Sequence, residues 1–512
     1  MTRVVIRCDA SAAIGGGHLA RCMALAQALK ERGARIELAS RGLTARVRDL
    51  LVTPVGADVH ALETMPGTDS TPDEGPPLAH AAWLPVTQKL DAAQTTEVLR
   101  RGERPQWLIV DHYALDARWE RLIQPHVERI LVVDDLADRD HTCDALLDQN
   151  FFLDAETRYD ARIPAHAERL LGARFALLRD EFARARARGV ARDGRLRRIF
   201  VCFGGFDGAR QTVRALQALE QAALDGVAVD VVVSADHADR IEIERRCRDA
   251  GWNVQCDLTH LAGLMAQADL GIGASGVMNW ERASVCLPAI IVSVAENQHV
   301  VARDLAAERA CIYLGFAADW RAETLAGHLR ALAGTPSLLS ALAARAGALT
   351  DGRGARRAAA HLLPEPVSLR PAAPADCDAI HAWRNAEITR RYSTNTQPIA
   401  LADHRQWFER VLRDPGVVLL VGEHAGRPVG VLRYDMSGDE ATVSAYMVPE
   451  EAGRGLGTAL LRAGTQWLRE HRPDASRVHA HIQCGNVASL RAFSNAGYRQ
   501  ASAMYTLNLT HG

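Results

Sequence analysis

The run Ile14-Gly15-Gly16-Gly17-His18 stands between an apolar strand and a helix, and this junction restricts the fold more than any other stretch. Val4-Val5-Ile6 reads as a short buried strand within Arg3 to Arg7. From Leu19 to Arg32 the apolar residues Leu19, Cys22, Met23, Ala26 and Leu29 follow helical spacing, and Gly33 is a natural stop. A strand–turn–helix unit of this kind belongs to an open α/β sheet. Such sheets bind ligands at the carboxyl ends of their strands, where a helix N-terminus offers unpaired N–H groups to an anion. The glycines let a ligand approach the backbone, and His18 falls on the first helical turn, facing that cleft. On spacing alone, a tight turn with a capping histidine reads equally well. The turn is neither Gly-x-Gly-x-x-Gly nor a Walker loop, since no Gly-Lys-Ser/Thr follows.

Strands and helices go on alternating. Arg35–Ala39, Trp107–Val110, Ile130–Val133 and Ala145–Leu147 read as strands, and polar residues follow several of them: Asp111-His112-Tyr113, Asp134-Asp135 and Asp148-Gln149-Asn150. A chain repeating this pattern builds one crevice from several strand tips. Asp134-Asp135 by itself is expected to be a solvated turn with a helix cap, and is otherwise a loose possibility for a metal. Gly67 to Pro77 has the composition of a mobile loop, and Arg179 to Arg198 that of a helix and linker with a solvated basic face.

A second alternating region has strands at Ile199–Phe203, Val229–Val233, Leu270–Ile272 and Ala289–Val294. Small-residue turns follow the first and third, at Gly204-Gly205 and at Gly273 to Arg282. Two glycine-rich helix entries at one cleft suit a diphosphate. Glu281 is placed to accept from ribose hydroxyls, or merely to favour the helix dipole.

At this point a resemblance becomes specific. Arg7-Cys8-Asp9-Ala10-Ser11, Ile14 to His18, Arg21-Cys22, Asp111-His112-Tyr113, Asp134-Asp135, Gly172 to Phe182, Gly204-Gly205 and Ala295-Glu296-Asn297-Gln298 occur in the order found in the UDP-sugar hydrolases of pseudaminic acid biosynthesis, which residues 1–360 resemble. The resemblance implies two Rossmann-like domains in the GT-B architecture of nucleotide-sugar glycosyltransferases, 1–190 and 195–360. It implies metal-independent, inverting hydrolysis of UDP-2,4-diacetamido-2,4,6-trideoxy-β-L-altropyranose, with His18 as the base that activates water. Arg7, Asp9, Gly17, Asp111, His112, Tyr113, Gly204, Gly205, Ser275, Gly276, Asn279, Glu281, Asn297 and Gln298 are the implied substrate contacts. An imidazole suits a base at neutral pH, and helix N-termini can stabilise a leaving diphosphate.

His361 to Pro366 reads as a linker, and a third pattern occupies 367–512. Strands at Val417–Glu423 and Pro428–Tyr434 flank a hairpin turn. Ala441–Val448 is a further strand, Gly453 to Thr458 opens a helix from Ala459 to His471, Arg477–Ile482 is a strand, and a final helix spans Asn486 to Gly497. The glycine run followed by Asn486, Ser489, Phe493 and Gly497-Tyr498 resembles the GNAT acetyltransferase superfamily. Trp383-Arg384-Asn385 and Pro398 to Trp407 are similar to its pseudaminic-pathway members, which acetylate the 4-amino group of a UDP-linked amino sugar with acetyl-CoA. Gly453, Arg454, Gly455, Leu456, Gly457, Thr458, Asn486 and Ser489 are the implied acetyl-CoA contacts. Two positions depart from the pattern. Ala452 opens the glycine motif, and Phe493 stands where a tyrosine often protonates the leaving thiolate, so Tyr498, Tyr505 or water substitutes or the thiolate leaves unaided. Glu440 and His481 are candidate bases, the latter more readily read as a packed core histidine.

Composition excludes several other classes. In 512 residues the lysines are Lys30 and Lys89, so neither a Schiff-base lysine nor a P-loop lysine is expected. A net charge of −2 and 5% aromatic residues argue against nucleic acid. The ten cysteines form no Cys-x-x-Cys pair, no apolar run reaches ~18 residues, and the first strand begins almost at once, so a cytoplasmic, reduced protein off the membrane is expected. The expected function is therefore bifunctional. A glycosyltransferase of the same fold, or a binding module fused to an acetyltransferase, is the alternative.

Overall fold

Parallel strands joined by crossover helices account for residues 1–359, one of two compact units; the other is 360–512. The computed structural model describes residues 2–11, 14–64, 75–189, 192–204, 207, 210–256, 258, 260–363, 367–393, 395–452, 456–483 and 485–501, and all counts refer to these. The expected loop at Gly67–Pro77 lies mostly outside them, as do Gly205, Gly453, Arg454, Gly455 and Tyr505.

The first sheet has seven parallel strands: β1 Arg3–Cys8, β2 Arg35–Arg41, β3 Asp58–Leu62, β4 Trp107–Asp111, β5 Arg129–Val133, β6 Ala145–Asp148 and β7 Glu168–Leu171, in the order β3-β2-β1-β4-β5-β6-β7. β1 and β4 are buried at every position, as strands covered on both faces must be. The second sheet has six parallel strands: β8 Arg198–Cys202, β9 Ala228–Val233, β10 Asn253–Cys256, β11 Leu270–Ala274, β12 Ala289–Ser293 and β13 Ile312–Phe316, in the order β10-β9-β8-β11-β12-β13. Each is a Rossmann-like sheet that starts in its middle and winds both ways. The winding direction reverses between β1 and β4 in one sheet, and between β8 and β11 in the other. Ligand crevices form at such reversals, beyond the carboxyl ends of the strands.

The two sheets are tied together within their unit. Trp280 Nε1 donates to Asn150 Oδ1 at 2.9 Å, and the Leu153 amide to Asp304 Oδ2 at 3.1 Å. Arg186 reaches the carbonyls of Ser284, Gly347 and Thr350 from the connecting helix Asp180–Ala187.

The second unit is built on a five-stranded sheet, β14 Ser368–Pro371, β15 Val417–His424, β16 Arg427–Ser437, β17 Glu440–Met447 and β18 Arg477–Ala480, in sequential order. It is antiparallel except for β17 and β18, which run parallel. Their pairing covers only Glu440–Val443, so among the described residues the half of β17 from Ser444 to Met447 has a free edge on that side. The helix Leu456–His471 crosses between them, anchored by buried Leu456 and Leu460. Among the described residues no helix is long and apolar enough to cross a membrane.

Candidate functional site

β1 ends at Cys8 and β4 at Asp111, and these residues are register partners at the reversal point of the first sheet. The helix Gly17–Lys30 follows with Gly16 as its N-cap, so His18 lies within the helix and does not cap it. Its Nδ1 is 2.6 Å from Asp111 Oδ1. Arg21, one turn on, grips the same carboxylate through Nε and Nη2, each at 2.7 Å, and reaches Asp135 Oδ2 with Nη1 at 2.9 Å. Burial alone would push the Asp111 carboxyl up, but Arg21 and His18 hold it well below the usual carboxylate range. An ionised carboxylate can only accept, so the proton between them belongs to Nδ1, and in the neutral ring the lone pair is then on Nε2.

Aromatic rings wall this imidazole. Tyr113 meets it edge-on at 4.5 Å between centroids and Trp83 at 5.7 Å, while Trp83 stacks on Tyr113 at 5.2 Å. Tyr113 is fixed from below by its hydroxyl, which donates to Asp135. Asn150 Nδ2 donates to the same carboxylate at 3.1 Å, which links this cluster to Trp280 of the second sheet.

Beneath lies an ionic layer that departs from four expectations. Arg7 is wholly buried and binds Asp91 through Nε at 3.0 Å and Nη2 at 2.6 Å, and Asp9 through Nη2 at 2.9 Å. Asp9 also accepts from the Arg41 amide at 2.7 Å, and His112 Nε2 stands 3.2 Å from it. Arg7, Asp9 and His112 therefore brace the tip of β1 and do not face a ligand. Burial draws His112 down from the ordinary histidine value despite Asp9. Asp134, expected in a solvated turn, is fully buried on Arg139 at 2.8 Å and accepts from the Tyr159 hydroxyl at 3.1 Å. Cys8, Cys22 and Asp111 bring three potential metal-ligand atoms within 4.8 Å of one another, but both Asp111 oxygens already serve Arg21.

Across the crevice, the turn after β11 faces the turn after β1: Val277 Cγ2 is 3.9 Å from where a Cβ on Gly17 would stand. Asn279 Nδ2 donates to Ser275 Oγ at 3.0 Å, and the Ser275 hydroxyl lies 3.4 Å from the Gln298 carbonyl. The Gln298 side chain accepts from the Val294 amide at 3.0 Å and closes over Gly276. Glu281 is half-buried, its carboxyl pushed up by burial. Asn297 is exposed at the start of the helix Asn297–Ala307, and Gly204 adopts φ +99° at the end of β8. The structure thus brings His18, Gly17 and Tyr113 to one wall, and Ser275, Gly276, Asn279 and Gln298 to the other. Arg21, Asp135 and Trp83 were missing from the sequence-based set. Arg21 carried a signal, since three residues after His18 lies on the same helix face; Trp83 carried none.

In the second unit Leu456, Gly457 and Thr458 begin the helix beside the free edge of β17. Asn486 caps the helix Val487–Asn495, its Oδ1 accepting from the Ser489 amide at 3.1 Å, so that oxygen is committed to the backbone and not to a cofactor. Glu440 sits at the start of β17, paired with Arg477 at 2.9 Å, the whole strand away from the turn that follows Met447. His481 is exposed just past β18, contrary to a packed core position. Tyr498 packs edge-on to Phe493 at 4.9 Å, its hydroxyl buried.

Comparison with known proteins separates the two units. Residues 367–499 match the family model described as "Acetyltransferase (GNAT) domain". The L-methionine sulfoximine/L-methionine sulfone acetyltransferase of Pseudomonas aeruginosa is 29% identical over 148 residues, 27% of this chain and 83% of the relative. The UDP-2,4-diacetamido-2,4,6-trideoxy-β-L-altropyranose hydrolase of Campylobacter jejuni is 28% identical over 210 residues, 40% of this chain and 61% of the relative. Acinetobacter baumannii MurG aligns structurally with a TM-score of 0.49 and 14% identity over 70% of this chain and 98% of its own. The fold is two Rossmann-like sheets in the first unit, followed by a domain that matches the GNAT model.

Proposed function

Starting from a GNAT acetyltransferase domain behind two Rossmann-like domains, we propose that the chain is a bifunctional enzyme of UDP-amino-sugar metabolism. The second unit transfers acetyl from acetyl-CoA to the 4-amino group of UDP-4-amino-4,6-dideoxy-β-L-AltNAc. The first unit hydrolyses the product, UDP-2,4-diacetamido-2,4,6-trideoxy-β-L-altropyranose, to UDP and the free sugar. The partial identity to the Campylobacter jejuni hydrolase supports the pathway and the substrate class.

The observation that carries the hydrolase reading is the His18–Asp111 pair at the reversal point of the first sheet, opposite the Ser275–Asn279 turn. Asp111 fixes the ring and its tautomer. Nε2 accepts a proton from water as the oxygen attacks the anomeric carbon and the carbon–oxygen bond to the diphosphate breaks. UDP leaves with the bonding electrons. The amides of Gly17 and the Ser275 turn stabilise the charge that develops on it, as preorganised donors do. Attack from the face opposite UDP inverts the anomeric carbon.

For acetyl transfer, Leu456, Gly457 and Thr458 present backbone N–H groups to the cofactor's pyrophosphate, and the free edge at Ser444–Met447 offers hydrogen bonds to an amide-bearing chain. The amine attacks the thioester carbonyl and CoA thiolate leaves.

Incubation of the purified protein with the UDP-linked diacetamido sugar and no acceptor tests the hydrolase half. Release of UDP and free sugar is expected, and loss of that release in His18→Ala. An intact UDP-sugar after prolonged incubation would overturn it.

A further inference from the structure

The interior beneath the Ser275 turn contains a guanidinium with no ion-pair partner among the described residues. Arg282, in the helix Met278–Ser284, is 1% exposed. Its side chain lies back across β11, and two glycines leave the room for it. A Cβ on Gly271 would stand 2.8 Å from Arg282 Cδ, and one on Gly273 would stand 2.8 Å from Nη1. Nη2 donates to the Ala274 carbonyl at 2.8 Å and to Asn279 Oδ1 at 2.7 Å. Nε and Nη1 have no hydrogen-bond partner among the described residues.

Among the described residues no ion pair neutralises the charge. A cavity of ≈ 20 Å³ beside Arg282 and Asn279 has room for a water, but it is lined mainly by apolar groups such as Leu287, Ile291 and Leu305. The carboxylate among the groups acting on Arg282 is Glu281, which burial itself pushes toward its neutral form. Burial draws the guanidinium down to about 10. A chain that buries an unpaired cation tolerates a large desolvation cost, and an anion bound nearby would offset it.

The hydrogen bonds lead from this cation to the crevice. Arg282 occupies Asn279 Oδ1, so the amide nitrogen is the end that donates to Ser275 Oγ. With Oγ accepting, the Ser275 proton is free to turn outward, because its contact with the Gln298 carbonyl, at 3.4 Å, is long.

We propose that Arg282 is a positioning residue for the diphosphate. It orients the Asn279 amide, and through it the Ser275 hydroxyl, and its charge is balanced by the nucleotide's phosphates when they occupy the turn. This rests on the reading of that turn as a UDP site. Uridine, which lacks the phosphates, gains nothing from Arg282.

Calorimetric titration of the full chain with UDP and with uridine tests this, using wild type, Arg282→Gln and Arg282→Lys, each checked for its folded transition. Arg282→Gln is expected to lose at least about tenfold in UDP affinity and less than about twofold for uridine, a selective loss that a merely structural role would not give. Arg282→Lys keeps the charge and is expected to recover part of it. Equal losses for both ligands, or an unchanged UDP affinity in a folded variant, would overturn the proposal. If Arg282→Gln fails to fold, Arg282→Met takes its place in the same comparison, and equal losses for UDP and uridine overturn the proposal. A wild type that binds uridine no better with phosphates attached removes the nucleotide-site reading itself.

Discussion

Asp111 shows how one carboxylate serves a neighbour and not a ligand. The residues at the strand tips read alike in sequence, as polar groups after an apolar run. The structure divides them by the direction in which each side chain leaves the sheet. His18, Tyr113 and Ser275 turn to the crevice, whereas Arg7 turns to Asp91, 84 residues away on the helix Gln88–Leu99, with Asp9 paired to Arg7 and His112 set against Asp9. No local pattern reveals a pairing at that separation, so those three looked like ligand contacts. Asp111 itself is 1% exposed, behind His18. Replacing it by asparagine keeps the shape but lets an amide N–H face Nδ1, which favours the tautomer with its proton on Nε2. Asp111→Asn is therefore expected to lower the rate of UDP release by about 10²–10⁴-fold, the usual weight of a positioned base, and to leave acetyl transfer unchanged. Steady-state assays of both activities on one preparation check this.

Strands were legible where they are buried on both faces and illegible at the margins. β1, β2, β4, β5 and β6 of the first sheet, and β8, β9, β11 and β12 of the second, have the apolar runs that mark them in sequence. β3, β7 and β10 do not, and each is an edge strand; β13, the remaining edge strand, keeps an apolar run at Ile312–Phe316 that went unread. An edge strand is half-exposed, so polar residues break its run, as in Asp58–Leu62 and Asn253–Cys256. The glycines of β11 have an equally physical reason. Gly273 pairs with Cys202 of β8, and a Cβ there would collide with the Cys202 carbonyl oxygen and crowd Arg282. Gly273→Ala is expected to destabilise the first unit by about 1–3 kcal/mol or more. Gly263→Ala, in the helix Ala262–Gln267 with open space around it, is expected to be neutral or to stabilise by up to ~1 kcal/mol. Thermal melts of the two variants provide the comparison. In the second unit, His404 of the helix Leu401–Arg413 is buried against Trp407 and Phe408, with its Nε2 unpartnered. Burial, with His381 and Arg384 adding to it and Asp378 opposing, draws its value below the ordinary 6.5. The unfolded chain then holds more protons than the folded one just below pH 6.5. Stability is full above that pH and falls as the pH drops through the folded value. Calorimetric scans of the full chain from pH 7.5 to 5 should show this decline in the transition that acetyl-CoA raises, and a flatter one in His404→Gln.

At the scale of the whole molecule, the proposed function joins two chemistries on one UDP-linked sugar. The order of the units is opposite to that of the proposed reactions, which imposes no cost if the intermediate diffuses. The first unit was legible in outline because it repeats a strand, a small-residue turn and a helix; what the sequence left open was which polar residues each turn exposes. The central claim is that both reactions occur on one chain and that water attacks the sugar carbon. It is tested most directly with the purified protein, UDP-4-amino-4,6-dideoxy-β-L-AltNAc and acetyl-CoA in ¹⁸O-labelled water, the products read by mass spectrometry and NMR. The account predicts free CoA, unlabelled UDP and a diacetamido sugar with the label on its anomeric oxygen. Label in the UDP phosphate, or an acetylated UDP-sugar that accumulates without release of UDP, would contradict it.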